Sequence, residues 1–201
     1  NYKWLIDKSV DKTEIDIAQG GTATFNYSVK VTPNGYDDSA WAVSGKITVT
    51  NPNAFAVSGV DVTDAIDNGG VCSVTSGTNV TVPASGSVEL DYSCTYAAAP
   101  SPAAGTNTAT ASWTAANLYS PNTSASGTAG VDFSAVTPVE TNKTITVVDD
   151  KTDPLHPVTL GTWNWADGEY TFTYSLDKSG VAGTCTDYTN TAVIDETDQS
   201  D

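Results

Sequence analysis

The sequence predicts an all-β protein made of two tandem antiparallel β-sandwich domains, the second of them one strand short. Three observations point there. Apolar and polar side chains alternate with a period of two through most segments, turn signals separate those segments, and Thr, Ser, Ala, Val, Gly and Asp dominate the composition with no helix-favouring runs. A chain of 201 residues has room for two sandwiches of roughly 100 residues each.

The first sandwich spans residues 1–116. "TATFNYSVKV" sets Ala23, Phe25, Tyr27, Val29 and Val31 on one face and Thr22, Thr24, Asn26, Ser28 and Lys30 on the other, the pattern of a half-buried strand. The same parity runs through "WAVSGKITVT" (Trp41, Val43, Ile47, Val49), "SVELDYSCTY" (Val88, Leu90, Tyr92, Cys94, Tyr96) and "TNTATASW" (Ala109, Ala111, Trp113). "PNGYDDS", "NPN", "DNGG" and "PASGS" supply the turns between them. With "WLIDKSV", "EIDIA", "GVDVTDAI", "GVCSVT" and "TNVTVP" added, the strands suffice for a complete antiparallel sandwich.

Residues 117–127, containing "SPNTSASG", read as a linker or exposed loop. The second domain, 128–201, offers only five clear strands: "GTAGVDFS", "TNKTITVVDD", "PVTLGTWNW", "EYTFTYSLD" and "DYTNTAVID". A sandwich normally needs about seven, so its edge is expected to stay open.

The segments "IDKSVD", "WAVSGKITVTNPN", "VTD" and "GTNTAT", then "LGTWNW", "FTYS" and "YTNTAVIDETDQSD", resemble the immunoglobulin-like repeat pairs of large bacterial and archaeal cell-surface proteins. The resemblance implies two immunoglobulin-like sandwiches and an extracellular setting. It also implies one more strand after the acidic end, where this sequence stops. A sandwich lacking a strand exposes backbone groups and apolar side chains that another chain can cover. "NYKWLI" carries Tyr2, Trp4 and Ile6 at alternate positions and is the expected donor strand. The reading is a structural subunit of an extracellular filament, built from copies of itself by head-to-tail donor-strand complementation. An adhesin stalk or a glycan- or protein-binding surface module is the alternative, as is a piece cut from a longer protein.

Three cysteines occur. Cys72 and Cys94, 22 positions apart on neighbouring strands of an exported chain, are expected to form a disulfide. Cys185 is left over, either free and buried or paired with another molecule.

By parity, Lys8 shares the face of Trp4, Ile6 and Val10, Asp64 that of Val60, Val62 and Ile66, and Asn107 that of Ala109, Ala111 and Trp113. All three polar side chains are therefore expected to point inward, where a lysine and an acid are costly unless they meet. The trio is similar to the arrangement by which surface-adhesin sandwiches join a first-strand Lys to a last-strand Asn as an isopeptide bond beside an acid. A hydrogen-bonded Lys8–Asp64 pair, with Asn107 starting its strand, is the simpler alternative. "NTA" recurs at Asn190, with Lys143 and Asp149 inward on one strand, but that lysine lies on the wrong element for the same arrangement.

Asp149, Asp150 and Asp153 in "DDKTD" form the loop best suited to calcium, the one cofactor this reading entertains. Asn26, Asn79, Asn122 and Asn142 open N-x-[ST] sequons and are candidate glycan acceptors. A net charge of −16 argues against nucleic acid and anionic lipid as partners. No apolar run is long enough to insert in a membrane as a helix, and a chain starting at Asn1 without Met reads as processed and exported. His156, the single histidine, lies between prolines with no nucleophile motif, so no enzyme is expected. Trp163, Trp165, Tyr170, Phe172 and Tyr174 suit a buried strand face, a groove that receives a donor strand, or an exposed sugar platform.

Overall fold

A computed structural model describes residues 1–114 and 122–201, and nearly all regular structure in it is antiparallel strand. In chain order the strands are β1 (Tyr2–Val10), β2 (Thr22–Tyr36), β3 (Ala42–Asn51), β4 (Val57–Ile66), β5 (Val71–Val74), β6 (Val80–Val82) and β7 (Gly86–Thr95). Then follow β8 (Ala104–Ser112), β9 (Ser124–Asp132), β10 (Thr144–Asp149), β11 (Val158–Asn164), β12 (Tyr170–Ser179), β13 (Ala192–Ile194) and β14 (Gln199–Ser200).

The chain divides into two compact units, but not where the sequence suggested. Unit 1 joins Asn1–Asp37 to Val139–Asp201, and unit 2 is the intervening Asp38–Pro138. The expected boundary, with 1–116 and 128–201 as consecutive domains, is therefore replaced by one unit inserted into the other. Alternation shows that β1 and β2 each bury one face; it does not say which sheet they bury it against.

Unit 1 has one sheet in the order β1-β2-β12 and a second in the order β11-β10-β13-β14. Trp4, Val29 and Val31 from the first sheet meet Ile145, Val147, Ala192 and Ile194 from the second, each at most 1% exposed. β2 is the central strand, pairing Val29 with Lys8 on one side and with Phe172 on the other. The strand shortage expected of the C-terminal half is met by β1 and β2 of the same chain. Seven strands, all among the described residues, close this sandwich. Gly161 on β11 makes close packing between its sheets possible, since a Cβ there would lie 2.7 Å from the Phe172 ring.

Unit 2 packs a sheet ordered β3-β7-β5 on one ordered β6-β4-β8-β9. Val57, Val60, Val62, Val82, Leu90 and Ala111 form its core, with Ile47, Val49 and Val88 packed alongside as parity predicts. Gly59, at φ +71°, sits in the register shift between Val57 and Val60, a backbone conformation that favours glycine. β9 corrects a second expectation. Ser124–Gly127 of the supposed linker are paired with β8, Ser124 opposite Ser112 and Gly127 opposite Ala109. These small residues form a strand although every one of them is exposed, because β8 offers an edge for backbone pairing. Of that linker, residues 117–121 lie outside the described residues, while the Thr123 carbonyl accepts from the Trp113 backbone at 2.9 Å.

Asn51, only 5% exposed, ties the Asn-Pro-Asn turn of unit 2 together. Its amide donates to the carbonyls of Phe55 (2.8 Å) and Pro83 (3.0 Å), and its oxygen accepts from the Asn53 backbone (3.0 Å). The Asn51 side chain thus satisfies backbone groups of the turn after β3 and of the segment that follows β6.

Candidate functional site

The alternation of β1 turns Lys8 inward beneath Trp4 and Ile6, and the alternation of β10 turns Asp149 inward beneath Ile145 and Val147. They meet inside unit 1. Lys8 Nζ donates to Asp149 Oδ2 at 2.7 Å, with the side chains 6% and 0% exposed. Asp149 Oδ1 accepts from the Tyr174 hydroxyl (2.9 Å) and from the Lys151 backbone (2.8 Å), so both carboxylate oxygens are engaged. Asn190 Nδ2 donates to the same Tyr174 hydroxyl at 2.7 Å, while Asn190 Oδ1 is buried and unpartnered.

The rings of Tyr27 and Tyr174 stack 5.1 Å apart and roof this cluster, with Lys8 Nζ 5.5 Å and 5.9 Å from their centroids. Burial raises the Tyr174 phenol well above its ordinary value; the Asn190 amide opposes that, and the negative Asp149 carboxylate adds to it. The phenol therefore stays protonated and keeps its hydrogen bond to Asp149.

Lys8 was expected to meet Asp64 and Asn107, and it does not: those two belong to unit 2 and Lys8 to unit 1. Asp64 and Asn107 do meet each other, Asn107 Nδ2 donating to Asp64 Oδ2 at 2.7 Å. The Cys72–Cys94 disulfide, formed as the sequence predicted, lies against them. Cys94 Sγ is 3.2 Å from Asp64 Oδ2, a contact rather than a hydrogen bond, because a disulfide sulfur carries no hydrogen.

The two units carry the same local arrangement. In unit 2, Asp64 on β4 is the cross-strand partner of Ala109 in Asn107-Thr108-Ala109; in unit 1, Asp149 on β10 is the partner of Ala192 in Asn190-Thr191-Ala192. Each pairing therefore sets an inward acid beside an Asn-Thr-Ala triplet. The third partner differs: a disulfide in unit 2, a lysine and a tyrosine in unit 1. Asn190 and Asp149 stand out in the sequence, but the residue that completes them is Lys8 rather than Lys143. Lys143 lies near the surface on Glu140, both contacts at 2.8 Å. The repeated triplet was the available signal, and it needed only a lysine from a distant strand.

The donor-strand residues lie in their own chain. Trp4 is in the unit 1 core, with Nε1 donating to the Asn142 carbonyl at 2.8 Å, Tyr2 donates to Glu140 at 2.7 Å, and Ile6 packs on the same core. The aromatic group forms that core's flank: Trp163, Trp165, Phe172 and Tyr174 pack against it, and Trp163 stacks on Tyr170 at 4.0 Å.

The three carboxylates suggested for calcium do not converge. Asp149 faces the interior, Asp150 Oδ1 accepts from the Thr152 and Thr191 backbones, and Asp153 accepts from the Leu155 backbone and contacts His156. Short turns after β10 use these acids to satisfy their own amides. Among the described residues, the one convergent group of three such ligand side chains is Asp64, Cys72 and Cys94, already occupied by the disulfide.

Cys185, expected to be buried if free, is exposed. Of the sequon asparagines, Asn26, Asn79 and Asn122 are exposed and Asn142 is half-buried. Asn26 is held by Asp11, donating to its carboxylate at 2.8 Å. No helix among the described residues is long and apolar enough to cross a membrane. No protein-family model matches this chain, and no curated protein matches it either.

Proposed function

We propose that this chain is a structural module of an extracellular surface assembly, a stalk or filament element rather than an enzyme. One observation carries the reading: in unit 1 the first strand of the chain and its last strands form one sandwich, centred on the buried Lys8–Asp149 pair. Tension applied between residues 1 and 201 enters unit 1 at β1 and leaves by β13 and β14. Unit 2, inserted between Asp37 and Val139, is not on that path through the chain. The disulfide in unit 2 and the acidic composition agree with an oxidising, extracellular setting.

Polymerisation by strand exchange is the second reading, and the position of β1 favours it. β1 is an edge strand whose one strand partner among the described residues is β2, its other edge being held at Tyr2 by the Thr141 carbonyl and at Lys8 by the Asp201 carboxylate, so the same pairing is available to the β1 of another copy. Head-to-tail exchange of this kind is a domain swap that repeats into a filament. Light scattering coupled to size exclusion, with negative-stain microscopy of the same sample, tests both. A monodisperse monomer supports the stalk module closed in cis; filaments that vanish when residues 1–6 are deleted support exchange; turnover of a substrate by the purified chain would overturn both.

A further inference from the structure

We propose that Lys8 and Asn190 condense into an amide cross-link, Nζ to Cγ, with release of one ammonia. Four features of unit 1 argue for it, and none depends on the role assigned to the whole chain. Lys8 and Asn190 hang from the same carboxylate–phenol pair, one on Asp149 at 2.7 Å and the other on Tyr174 at 2.7 Å. The carbonyl oxygen of Asn190 is buried without a partner, an expensive arrangement for an amide that is merely structural. Water is largely excluded, Lys8 being 6% and Asp149 0% exposed. Finally, the matching acid and Asn-Thr-Ala triplet of unit 2 already sit against a covalent tie, the Cys72–Cys94 disulfide.

The chemistry balances within the cluster. The Lys8 ammonium passes a proton to Asp149 Oδ2, and the freed lone pair on Nζ adds to Cγ of Asn190 once the amide turns off the Tyr174 hydroxyl. Negative charge collects on Asn190 Oδ1, for which protonated Asp149 and the Tyr174 hydroxyl are the donors at hand. The Cγ–Nδ2 bond then breaks as Nδ2 takes up the second proton that Nζ gives up and the proton held by Asp149, and the nitrogen leaves as ammonium, that is, ammonia and one proton. One C–N bond forms, one C–N bond breaks, and nothing is oxidised or reduced. Asp149 ends as the carboxylate it began as, and is the catalytic residue of the step. A groove lined by Lys8, Tyr27, Lys178, Tyr188 and Asn190 gives the ammonia an exit.

The deciding measurement is the intact mass of the purified full chain, followed by proteolysis and tandem mass spectrometry. The expected mass is one ammonia below that of the disulfide-bonded sequence, with a branched peptide joining residue 8 to residue 190. Lys8→Arg and Asn190→Ala restore the missing ammonia, and both run more slowly than wild type on a denaturing gel. Asn190→Asp, which keeps the shape of the side chain, loses a water instead. A wild-type chain of unmodified mass overturns the proposal. So does an ammonia loss that maps to a succinimide at Asn34 or Asn68, the two asparagines followed by glycine. The wild-type mass is the deciding quantity, so the proposal stands or falls on it even where a variant fails to fold.

Discussion

Lys8 Nζ donates to Asp149 Oδ2 at 2.7 Å across a separation of 141 residues, inside a sandwich that neither end of the chain completes alone. Removing one partner strands the other charge in a place where water cannot compensate it. Asp149→Ala is therefore expected to destabilise unit 1 by about 3–5 kcal/mol. The paired replacement Lys8→Met with Asp149→Leu removes the stranded charge and should recover that part of the loss, leaving only what the proposed Lys8–Asn190 cross-link contributes. Urea denaturation of the single and double variants checks it, and a double variant as unstable as the single would show that the pair acts through something other than its charge.

Trp4 fills the centre of the same core at 1% exposure and donates its indole hydrogen to Asn142. Truncation to Ala should cost about 3–5 kcal/mol. The loss is expected in unit 1 alone, because the core of unit 2 is built from Val57, Val60, Val62, Val82, Leu90 and Ala111. Hydrogen exchange resolved by residue tests this: protection should fall in β1, β2 and β10 and persist in β4 and β8. Equal loss in both units would mean that they fold as one.

The Cys72–Cys94 disulfide closes a loop across 22 residues of unit 2. Opening it by Cys72→Ala with Cys94→Ala should lower stability by about 3 kcal/mol. The effect belongs to unit 2, so two-step thermal unfolding should show one transition shifted and the other unmoved. A shift of the unit 1 transition would contradict the division of the chain at Asp37 and Val139.

Asp11 carries the sharpest pH expectation. Lys12 beside it, then the backbone and side-chain donors of Asn26, hold its carboxyl well below the usual carboxylate range. A folded value below the unfolded one means that its contribution is fully present above the ordinary aspartate pKa of about 4 and is lost as pH falls through the folded value. Carbon-13 titration of the side chain should find Asp11 still ionised where ordinary aspartates have protonated. Asp11→Asn should flatten the acid limb of stability against pH, and a midpoint for Asp11 in the ordinary range would refute the assignment.

The sequence alone determined most of the strands and their inward faces from period-two alternation, although "EIDIA", expected as a strand, forms no regular structure. Val29 and Val31 on β2, Leu90 and Cys94 on β7, and Asn107 and Ala111 on β8 are buried as their parity required. It determined the Cys72–Cys94 pairing as well, and it showed that Lys8, Asp64 and Asn107 all turn inward. Turn chemistry, by contrast, misled the reading of Ser124–Gly127, whose pairing depends on the free edge of β8 and not on its own side chains.

Only the tertiary structure decided which strand lies against which. Alternation is a property of one strand and its two faces, whereas pairing is a relation between strands that can be far apart in the chain. The C-terminal half reads as one strand short because its missing strands, β1 and β2, precede unit 2. The same reason separates Lys8 from Asp64 and delivers it to Asp149. Burial forces an inward lysine to find an acid, but the topology of the sheets determines which of the two equivalent acids it reaches.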